Sequence, residues 1–323
     1  MSSKSKACAE TEPALLARAM GEADPASEAR LEAHLEECED CRDECESLGR
    51  LGKELDAMRG RECPEERTQP ALDRLRARLV DLESRMVSFD VLRSPIGPIL
   101  VAQSEHGVVL VEYLGRGGES EAVRMLQGHG LEPQRGSEAS RLSAELNEYL
   151  AGRRSKLDWE LDWRLVKSPF RREVLQFTAG IPRGAVVSYA GVAADIGHPK
   201  AVRAAAQALR WNPLPIAVPC HRVIGTSGAL TGYAGGTSEK KQKLLAVEGV
   251  PTVKAGQDFR IQRDAMYVLA AEDKEYCLPS CSAVDRFPHG GLLFASRTQA
   301  EAAGLAPCTT CRPDLHPLPG AGA

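Results

Sequence analysis

The sequence has no long apolar run and no recognisable export signal. No stretch of its 323 residues approaches the roughly 18 consecutive apolar positions that a membrane-spanning helix needs. Residues 1–10 lack the basic and then apolar layout of a signal peptide. We therefore expect a soluble, cytoplasmic protein that does not enter a membrane. In such a reducing compartment we expect no disulfide framework, and eight of the ten cysteines lie in metal-ligand or reactive contexts.

The chain also lacks internal repeats and long low-complexity tracts, apart from the Pro- and Gly-rich residues 315–323, which we expect to fray. Its net charge of -4 is unevenly distributed. Residues 1–86 carry 14 basic and 21 acidic side chains, whereas residues 164–222 carry 9 basic and 2 acidic ones. The second segment suits contacts with phosphates, and the alternative is a solvated basic face without a partner.

The spacing of apolar residues predicts several elements. Residues 28–86 predict two or three helices, broken near Gly60 and between Pro64 and Pro70, with leucines at helical spacing. These leucines include Leu72, Leu75, Leu79 and Leu82. Residues 87–92, 99–102 and 107–113 have the pattern of β-strands and predict a small sheet, which a helix over residues 140–151 follows.

The next part of the chain predicts a different arrangement. Helices are expected at residues 170–179, 200–210 and 239–247, with a short strand and a helix over residues 186–196. Two short helices joined by Gly197-His-Pro199 are typical of a helix-turn-helix unit. Residues 200–210 would then be the helix offered to DNA.

A cysteine and a histidine are adjacent in the apolar, proline-stiffened segment 215–224. An apolar site suppresses the thiolate of a cysteine such as Cys220, so a reactive thiol needs a neighbouring base such as His221 and a carboxylate that orients it. Glu239 and Glu248 are the acids that follow. The alternative is that Cys220 is a small core residue and His221 a surface residue.

Motifs around this pair decide between the two interpretations. They are Lys200-Ala-Val-Arg203, Asn212-Pro-Leu-Pro-Ile216, Pro219-Cys-His-Arg-Val-Ile224, Gly232-Tyr-Ala-Gly-Gly236 and the segment 239–249. Together they resemble the O6-alkylguanine-DNA alkyltransferase family, over residues 87–250. The resemblance implies that Cys220 is the nucleophile and that His221 is its base through a bridging water. It implies further that Glu248 orients His221 and that the buried amide of Asn212 holds the active-site turn.

The same resemblance implies how damaged DNA is bound. Tyr233 matches a residue of the loop that lines the alkyl pocket. Tyr189 matches the hydroxyl that protonates the departing guanine, and also the residue that presses on the 3′ phosphate of a flipped nucleotide. Arg203, which we expect in the middle of its helix, matches the arginine that fills the vacated stack from the minor groove. For Tyr189 the alternative is an ordinary strand aromatic, and for Arg203 a phosphate contact only.

Two pairs of cysteines near the carboxyl end have the spacing of a four-thiolate zinc site: Cys277, Cys281, Cys308 and Cys311. The segments around them resemble the metal-binding domain of the Ada adaptive-response proteins, in which the thiolate matching Cys277 accepts a methyl group from a phosphotriester. Leu278, Thr309 and Thr310 stand where that family has basic residues. A structural zinc site and a methyl acceptor therefore both remain open.

A second set of metal-ligand residues lies near the amino end: Cys8, His34, Cys38 and Cys41. His34, Cys38 and Cys41 are spaced to project from one face of a helix end. The pattern resembles the zinc-binding domain of anti-sigma factors, which implies a sigma factor as the partner of residues 1–86. The alternative is a helical bundle with incidental cysteines. Cys45 and Cys63 fit no ligand pattern.

These observations predict an α+β multidomain chain. We expect a helical zinc-binding segment over residues 1–86, a small sheet and helix domain over 87–165, and a helix-turn-helix, winged-helix-like catalytic domain over 166–250. A four-cysteine zinc domain follows over 251–323.

The predicted function is irreversible, single-turnover transfer of an alkyl group from O6-alkylguanine in double-stranded DNA to Cys220, with O4-alkylthymine as a further candidate substrate. No organic cofactor is expected, and two structural zinc ions take no part in catalysis. The alternatives are an alkylation sensor that regulates transcription and a lesion-binding protein without chemistry. The second is disfavoured because Cys220 is present, whereas a catalytically dead branch of the family has tryptophan there.

Overall fold

The computed structural model describes residues 6–59, 65–115, 117–233, 238–270, 274–282, 284 and 291–318. The chain divides between residues 78 and 79 into two compact units. Within the described ranges, no helix combines the length and the apolar character needed to cross a membrane.

The first unit begins with the helices α1 (Lys6–Met20), α2 (Pro25–Glu37) and α3 (Glu39–Arg59). Asp24 begins α2 as an N-cap, because its carboxylate accepts hydrogen bonds from the backbone N–H groups of Ala26 and Ser27, both at 3.0 Å. The core of these helices is small. Its fully buried apolar side chains, among the described residues, are Leu15, Leu31 and Cys41.

Helix α4 (Glu65–Arg85) is 21 residues long and is followed directly by the first strand. The break that we expected between Pro64 and Pro70 does not extend to Pro70, which lies inside the helix. A proline near the start of a helix removes one backbone hydrogen bond, and here that loss does not end the helix. Gly60 and Cys63 lie outside the described residues.

The small sheet that we predicted is confirmed, with strands β1 (Met86–Ser94), β2 (Gly97–Ser104) and β3 (Gly107–Tyr113) in antiparallel order. A fourth strand, β4 (Glu132–Arg135), pairs parallel to β1. The order across the sheet is β3-β2-β1-β4. Helices α5 (Gly118–Gly128) and α6 (Ser137–Leu150) complete this part of the chain.

The predicted helices of the central part are also confirmed within a few residues. They are α7 (Pro169–Ala179), α8 (Tyr189–Asp195), α9 (Val202–Arg210) and α10 (Glu239–Val247). Strand β5 (Ala185–Ser188) leads into α8, and a short 3-10 turn over Cys220–Arg222 leads into β6 (Val223–Ile224). Helices α8 and α9 pack together as the two helices of the helix-turn-helix.

The strands that follow α10 join the sheet that contains β5. After a hairpin of β7 (Thr252–Ala255) and β8 (Asp258–Ile261), strands β9 (Tyr267–Ala270), β10 (Glu275–Cys277), β11 (Leu293–Phe294) and β12 (Ala306–Pro307) form a six-stranded sheet with β5 and β6. Strand β11 pairs antiparallel with β5, and α11 (Arg297–Ala302) follows it. The strands beside the carboxyl-terminal cysteines thus belong to the same sheet as β5, the strand that leads into α8.

Candidate active site

Cys220 lies at the start of the 3-10 turn, buried with 8% of its surface exposed. The amide of Asn212 donates hydrogen bonds to the Cys220 thiol at 3.2 Å and to the carbonyl of Val218 at 2.9 Å. The amide oxygen accepts a hydrogen bond from the backbone N–H of Leu214 at 3.0 Å. One buried side chain therefore fixes both ends of the turn and the position of the sulfur.

Behind the thiol, His221 and Glu248 form a fully buried pair, with 2.6 Å between His221 Nε2 and Glu248 Oε1. Arg222 binds both carboxylate oxygens of Glu248, at 2.9 and 3.0 Å, and the hydroxyl of Tyr149 donates to Oε1 at 2.5 Å. Burial alone would raise the pKa of Glu248, but His221 and Arg222 outweigh it and hold this pKa well below its ordinary value. The carboxylate is ionised at neutral pH.

His221 is thereby held as a neutral base. Burial lowers its pKa, and the opposing attraction of Glu248 does not restore the ordinary value. A neutral imidazole beside this carboxylate donates through Nε2, so the lone pair is on Nδ1. Nδ1 has no hydrogen-bond partner among the described residues. The geometry leaves one ring nitrogen able to accept a proton.

Two tyrosines join the thiol to the small sheet domain. The hydroxyl of Tyr233 acts to lower the pKa of the Cys220 thiol, and the hydroxyl of Tyr113, at the end of β3, lies 3.2 Å from that of Tyr233. The Lys240 ammonium lies 4.4 Å from the centre of the Tyr113 ring. Sequence reasoning missed Tyr113, because a tyrosine that ends a strand carries no local signal of this contact. Residues 234–237 of the predicted pocket loop lie outside the described residues.

Burial raises the pKa of the Cys220 thiol, and hydrogen bonds from Asn212 and Tyr233 and the charge of Lys241 offset this only in part. Lys241, which sequence reasoning also missed, is fully buried and donates to the carbonyls of Val223 and Leu230 at 2.5 and 2.6 Å. Burial lowers the pKa of Lys241 to about 8. The resting thiol is therefore protonated, and reaction requires a base.

A cavity of about 380 Å³ opens beside Cys220. Its walls come from both the small sheet domain and the segment around α9, and it is lined by Leu110, Glu112, Met125, His129, Leu209, Arg210, Trp211, Asn212, Pro213, Pro215, Cys220 and Tyr233. Most of this surface is apolar, which suits a base and an alkyl group held away from water.

Tyr189 and Arg203 lie on the helix-turn-helix. Tyr189 is the first residue of α8, half-buried, with its hydroxyl 3.4 Å from that of Thr231. Arg203 is exposed on α9. Our expectation that Arg203 lies in the middle of its helix was wrong, because α9 begins only at Val202, and Arg203 lies in the first turn. Its side chain is therefore close to the end of α9 that a helix-turn-helix directs at DNA.

Both predicted metal clusters assemble. In each, the four ligand atoms lie within 4.8 Å of one another, in the sets Cys8, His34, Cys38 and Cys41, and Cys277, Cys281, Cys308 and Cys311. Zinc-sulfur bonds of about 2.3 Å would place two sulfurs of a tetrahedral site about 3.8 Å apart. The sulfurs of Cys8 and Cys38 are separated by 3.8 Å. The residues present fit zinc at both clusters.

The amino-terminal cluster differs from our expectation in one respect. His34, Cys38 and Cys41 do not share one helix, because α2 ends at Glu37 and α3 begins at Glu39. Cys38 is the C-cap of α2 with extended backbone. The ligands therefore meet at a break between two helices, where a bend brings His34 Nε2 within 3.3 Å of Cys41 Sγ.

Comparison with known protein families divides the chain into four matching regions. The ribonuclease-like domain of 6-O-methylguanine DNA methyltransferase matches residues 87–163, and the DNA-binding domain of the same enzyme matches residues 169–250. A zinc-finger family matches residues 8–42. The metal-binding domain of Ada matches residues 258–314.

Similar proteins cover the central half of the chain. The constitutive methylated-DNA–protein-cysteine methyltransferase of Bacillus subtilis is 36% identical over 162 residues, which are 50% of this chain and 95% of that protein. The Mycobacterium tuberculosis H37Rv enzyme is 39% identical over 170 residues, covering 50% and 93%. A crystal structure of the M. tuberculosis O6-methylguanine methyltransferase matches at 37% identity, 50% and 93% coverage and a TM-score of 0.43.

Proposed function

Because the chain belongs to the methylated-DNA–protein-cysteine methyltransferase family, we propose that Cys220 is the thiol that accepts the alkyl group. The chain is a DNA-repair methyltransferase with DNA-binding and zinc-binding domains. One observation carries the assignment of Cys220. Among the cysteines in the described ranges, it is the one that lies beside a buried histidine and carboxylate pair and also lines an apolar cavity.

The reaction follows from these positions. His221 Nδ1 takes the Cys220 proton through a bridging water, and Glu248 stabilises the imidazolium that forms. The thiolate then attacks the alkyl carbon, a carbon-sulfur bond forms, and the bond from that carbon to O6 of guanine breaks. Guanine leaves with a proton from the Tyr189 hydroxyl. The thioether has no tendency to reverse, so each molecule reacts once.

Tyr233 and Tyr113 support this step. A hydroxyl that donates to the sulfur stabilises the thiolate while it forms, and Tyr113 fixes the direction of the Tyr233 hydroxyl. We expect Tyr113→Phe to slow transfer several-fold, with unchanged DNA affinity and with the rise of rate with pH moved to higher pH. The measurement is single-turnover transfer across the pH range. A profile identical to wild type would remove Tyr113 from the mechanism.

Access to O6 in a duplex requires the nucleotide to be flipped out of the stack, which costs a few kcal/mol. Tyr189 would press on the 3′ phosphate, and Arg203 would fill the gap from the minor groove. Arg203→Ala should therefore reduce repair of duplex DNA more than repair of single strands, while Arg93→Ala, which is exposed on β1 and lies outside both the helix-turn-helix and the cavity, serves as the control. Equal losses on both substrates would reduce Arg203 to a phosphate contact.

The direct test of the acceptor is Cys220→Ser. The hydroxyl is close in size to the thiol but a far weaker nucleophile at neutral pH, so transfer of a labelled methyl group should cease. Affinity for an O6-methylguanine duplex should stay within a few-fold, because the cavity keeps its shape. Transfer by this variant at the wild-type rate would place the nucleophile elsewhere.

We also propose that each cluster holds one structural zinc ion and that neither acts in the transfer to Cys220. Each cluster supplies four protein ligands to one metal ion and so leaves no coordination position open, which is typical of structural sites. Cys277 is buried, whereas methyl acceptance from a phosphotriester requires access to DNA. Metal analysis should find two zinc ions per chain, and one or none would remove a cluster from this assignment.

A sensor role remains the second proposal, favoured by the zinc-finger match over residues 8–42. The acidic surplus of residues 1–86 opposes DNA and favours a basic protein surface, such as that of a sigma factor. A binding experiment with the full chain and a purified bacterial sigma factor, before and after a methylating agent, tests it. Release after methylation would support sensing, and no binding in either state would contradict it.

A further inference from the structure

Helix α4 is exposed on all its faces. Every residue from Gln69 to Ser84 is exposed, including the four leucines Leu72, Leu75, Leu79 and Leu82, with 45%, 53%, 48% and 40% of their surfaces open. Helices in proteins owe most of their stability to the packing of an apolar face. A 21-residue helix with its leucines in solvent therefore needs a covering partner.

The leucines follow the spacing of a coiled coil. The steps between them are three, four and three residues, which are the a and d positions of two heptads. Val80, which is 64% exposed, falls outside this stripe at position b. The apolar stripe is thus narrow and regular, as in a helix that pairs with another helix.

The charges beside the stripe identify the partner. Arg78 occupies a g position, and Glu83 occupies the e position of the next heptad. In a parallel pair of identical helices, each g residue faces the e residue of the following heptad on the other chain, so Arg78 and Glu83 form two attractive pairs. An antiparallel pair would instead bring Arg78 near its own copy.

We propose that α4 forms a parallel two-stranded coiled coil with α4 of a second copy of this chain. The seam comprises Leu72, Leu75, Leu79 and Leu82, and the flanking pairs are Arg78 with Glu83 of the other copy. Two heptads make a short seam, so the dimer dissociates on dilution. A dimer of this chain carries two copies of Cys220.

Sedimentation of the full chain over a concentration series tests the proposal. The apparent mass should rise from 34.9 kDa towards twice that value, and Leu79→Glu should hold it at one chain. The matched control is Val80→Glu, one residue away and outside the stripe, which should dimerise like wild type. A single-chain mass at every concentration, or equal behaviour of the two variants, would overturn the proposal.

Charge exchange tests the parallel orientation. Arg78→Glu or Glu83→Arg alone should weaken the dimer at least several-fold, and the two together should restore it, because each pair is then reversed. In an antiparallel dimer Glu83 faces Arg76, so the double exchange would not restore binding, and that result would overturn the parallel arrangement. Labelling of Cys220 by an O6-methylguanine duplex reports that each variant is folded.

Discussion

The two four-ligand clusters have similar dimensions but very different surroundings. The carboxyl-terminal cysteines lie in or beside strands of a six-stranded sheet that includes β5 and packs Tyr267, Tyr276 and Phe294 into the main core. The amino-terminal ligands join three helices whose buried apolar side chains, among the described residues, are few. The carboxyl-terminal cluster lies beside a sheet that already has an apolar core. The amino-terminal cluster lies among helices that have almost no apolar core.

This difference indicates where metal contributes most to folding. Where a polypeptide buries little apolar surface, the free energy of metal binding becomes the free energy of folding. Where strands already pair across a core, loss of the metal removes only local order. We therefore expect loss of metal to have a large effect at one end of the chain and a small one at the other.

The largest effect is expected at the amino-terminal cluster. Cys41→Ser should remove its zinc and unfold residues 6–59, because structural zinc contributes about 10–16 kcal/mol in small domains. Hydrogen exchange of α1 to α3, with metal analysis, measures this. The matched control is Cys45→Ser, about one turn further along α3 and outside the cluster. Protection of α1 to α3 in the zinc-free variant would contradict the comparison.

A smaller effect is expected at the carboxyl-terminal cluster. Cys281→Ser should also remove one zinc ion, but β9 and β11 should stay protected and the rate of transfer to Cys220 should change less than two-fold. Thermal unfolding of the full chain and single-turnover transfer measure the two parts, with Ser280→Ala as the control. Loss of transfer together with this zinc ion would show that the cluster supports the active site after all.

The smallest effect tests the contact between α11 and Glu248, the C-cap of α10. The Gln299 amide donates a hydrogen bond to the backbone carbonyl of Glu248 at 3.0 Å. A Cβ added to Gly184 would lie only 2.1 Å from the side-chain nitrogen of Gln299. Gly249, by contrast, has open space. Both glycines have positive φ, +74° and +82°, so both alanine variants bear backbone strain.

Gly184→Ala should therefore lower the free energy of unfolding by about 1 kcal/mol more than Gly249→Ala, the value of the displaced hydrogen bond. In a chain that already carries Gln299→Ala, the added Gly184→Ala should no longer carry this extra cost of about 1 kcal/mol, because the hydrogen bond that it displaces is already absent. Denaturant unfolding of the four variants measures it. Equal losses at the two glycines would mean that Gln299 moves aside without cost.

Local patterns predicted much of this molecule. The strands β1 to β3 and helices α7 to α10 carry strong periodicity over six or more residues, and Pro219-Cys-His-Arg-Val223 is a short contiguous motif. The short strands β4 and β9 to β12 could not be predicted, because two to four residues carry little pattern and their pairing depends on distant partners.

The missed site residues have the same cause. Tyr113 meets Tyr233 from 120 residues away, and Lys241 reaches the carbonyls of Val223 and Leu230 only after α10 packs. The helix break at Cys38 depends on how the ligands of the cluster meet. Spacing identified which residues carry the chemistry, whereas tertiary packing determined which of them touch.

In the proposed mechanism Cys220 accepts the alkyl group and both clusters are structural sites. The most direct measurement is the mass of the intact protein after reaction with an O6-methylguanine duplex, followed by mapping of the modified peptide. We predict a gain of one methyl group per chain, entirely on the peptide that contains Cys220, and no gain in Cys220→Ser. A methyl group on Cys277 or another cluster cysteine, or a gain that persists in Cys220→Ser, would contradict it.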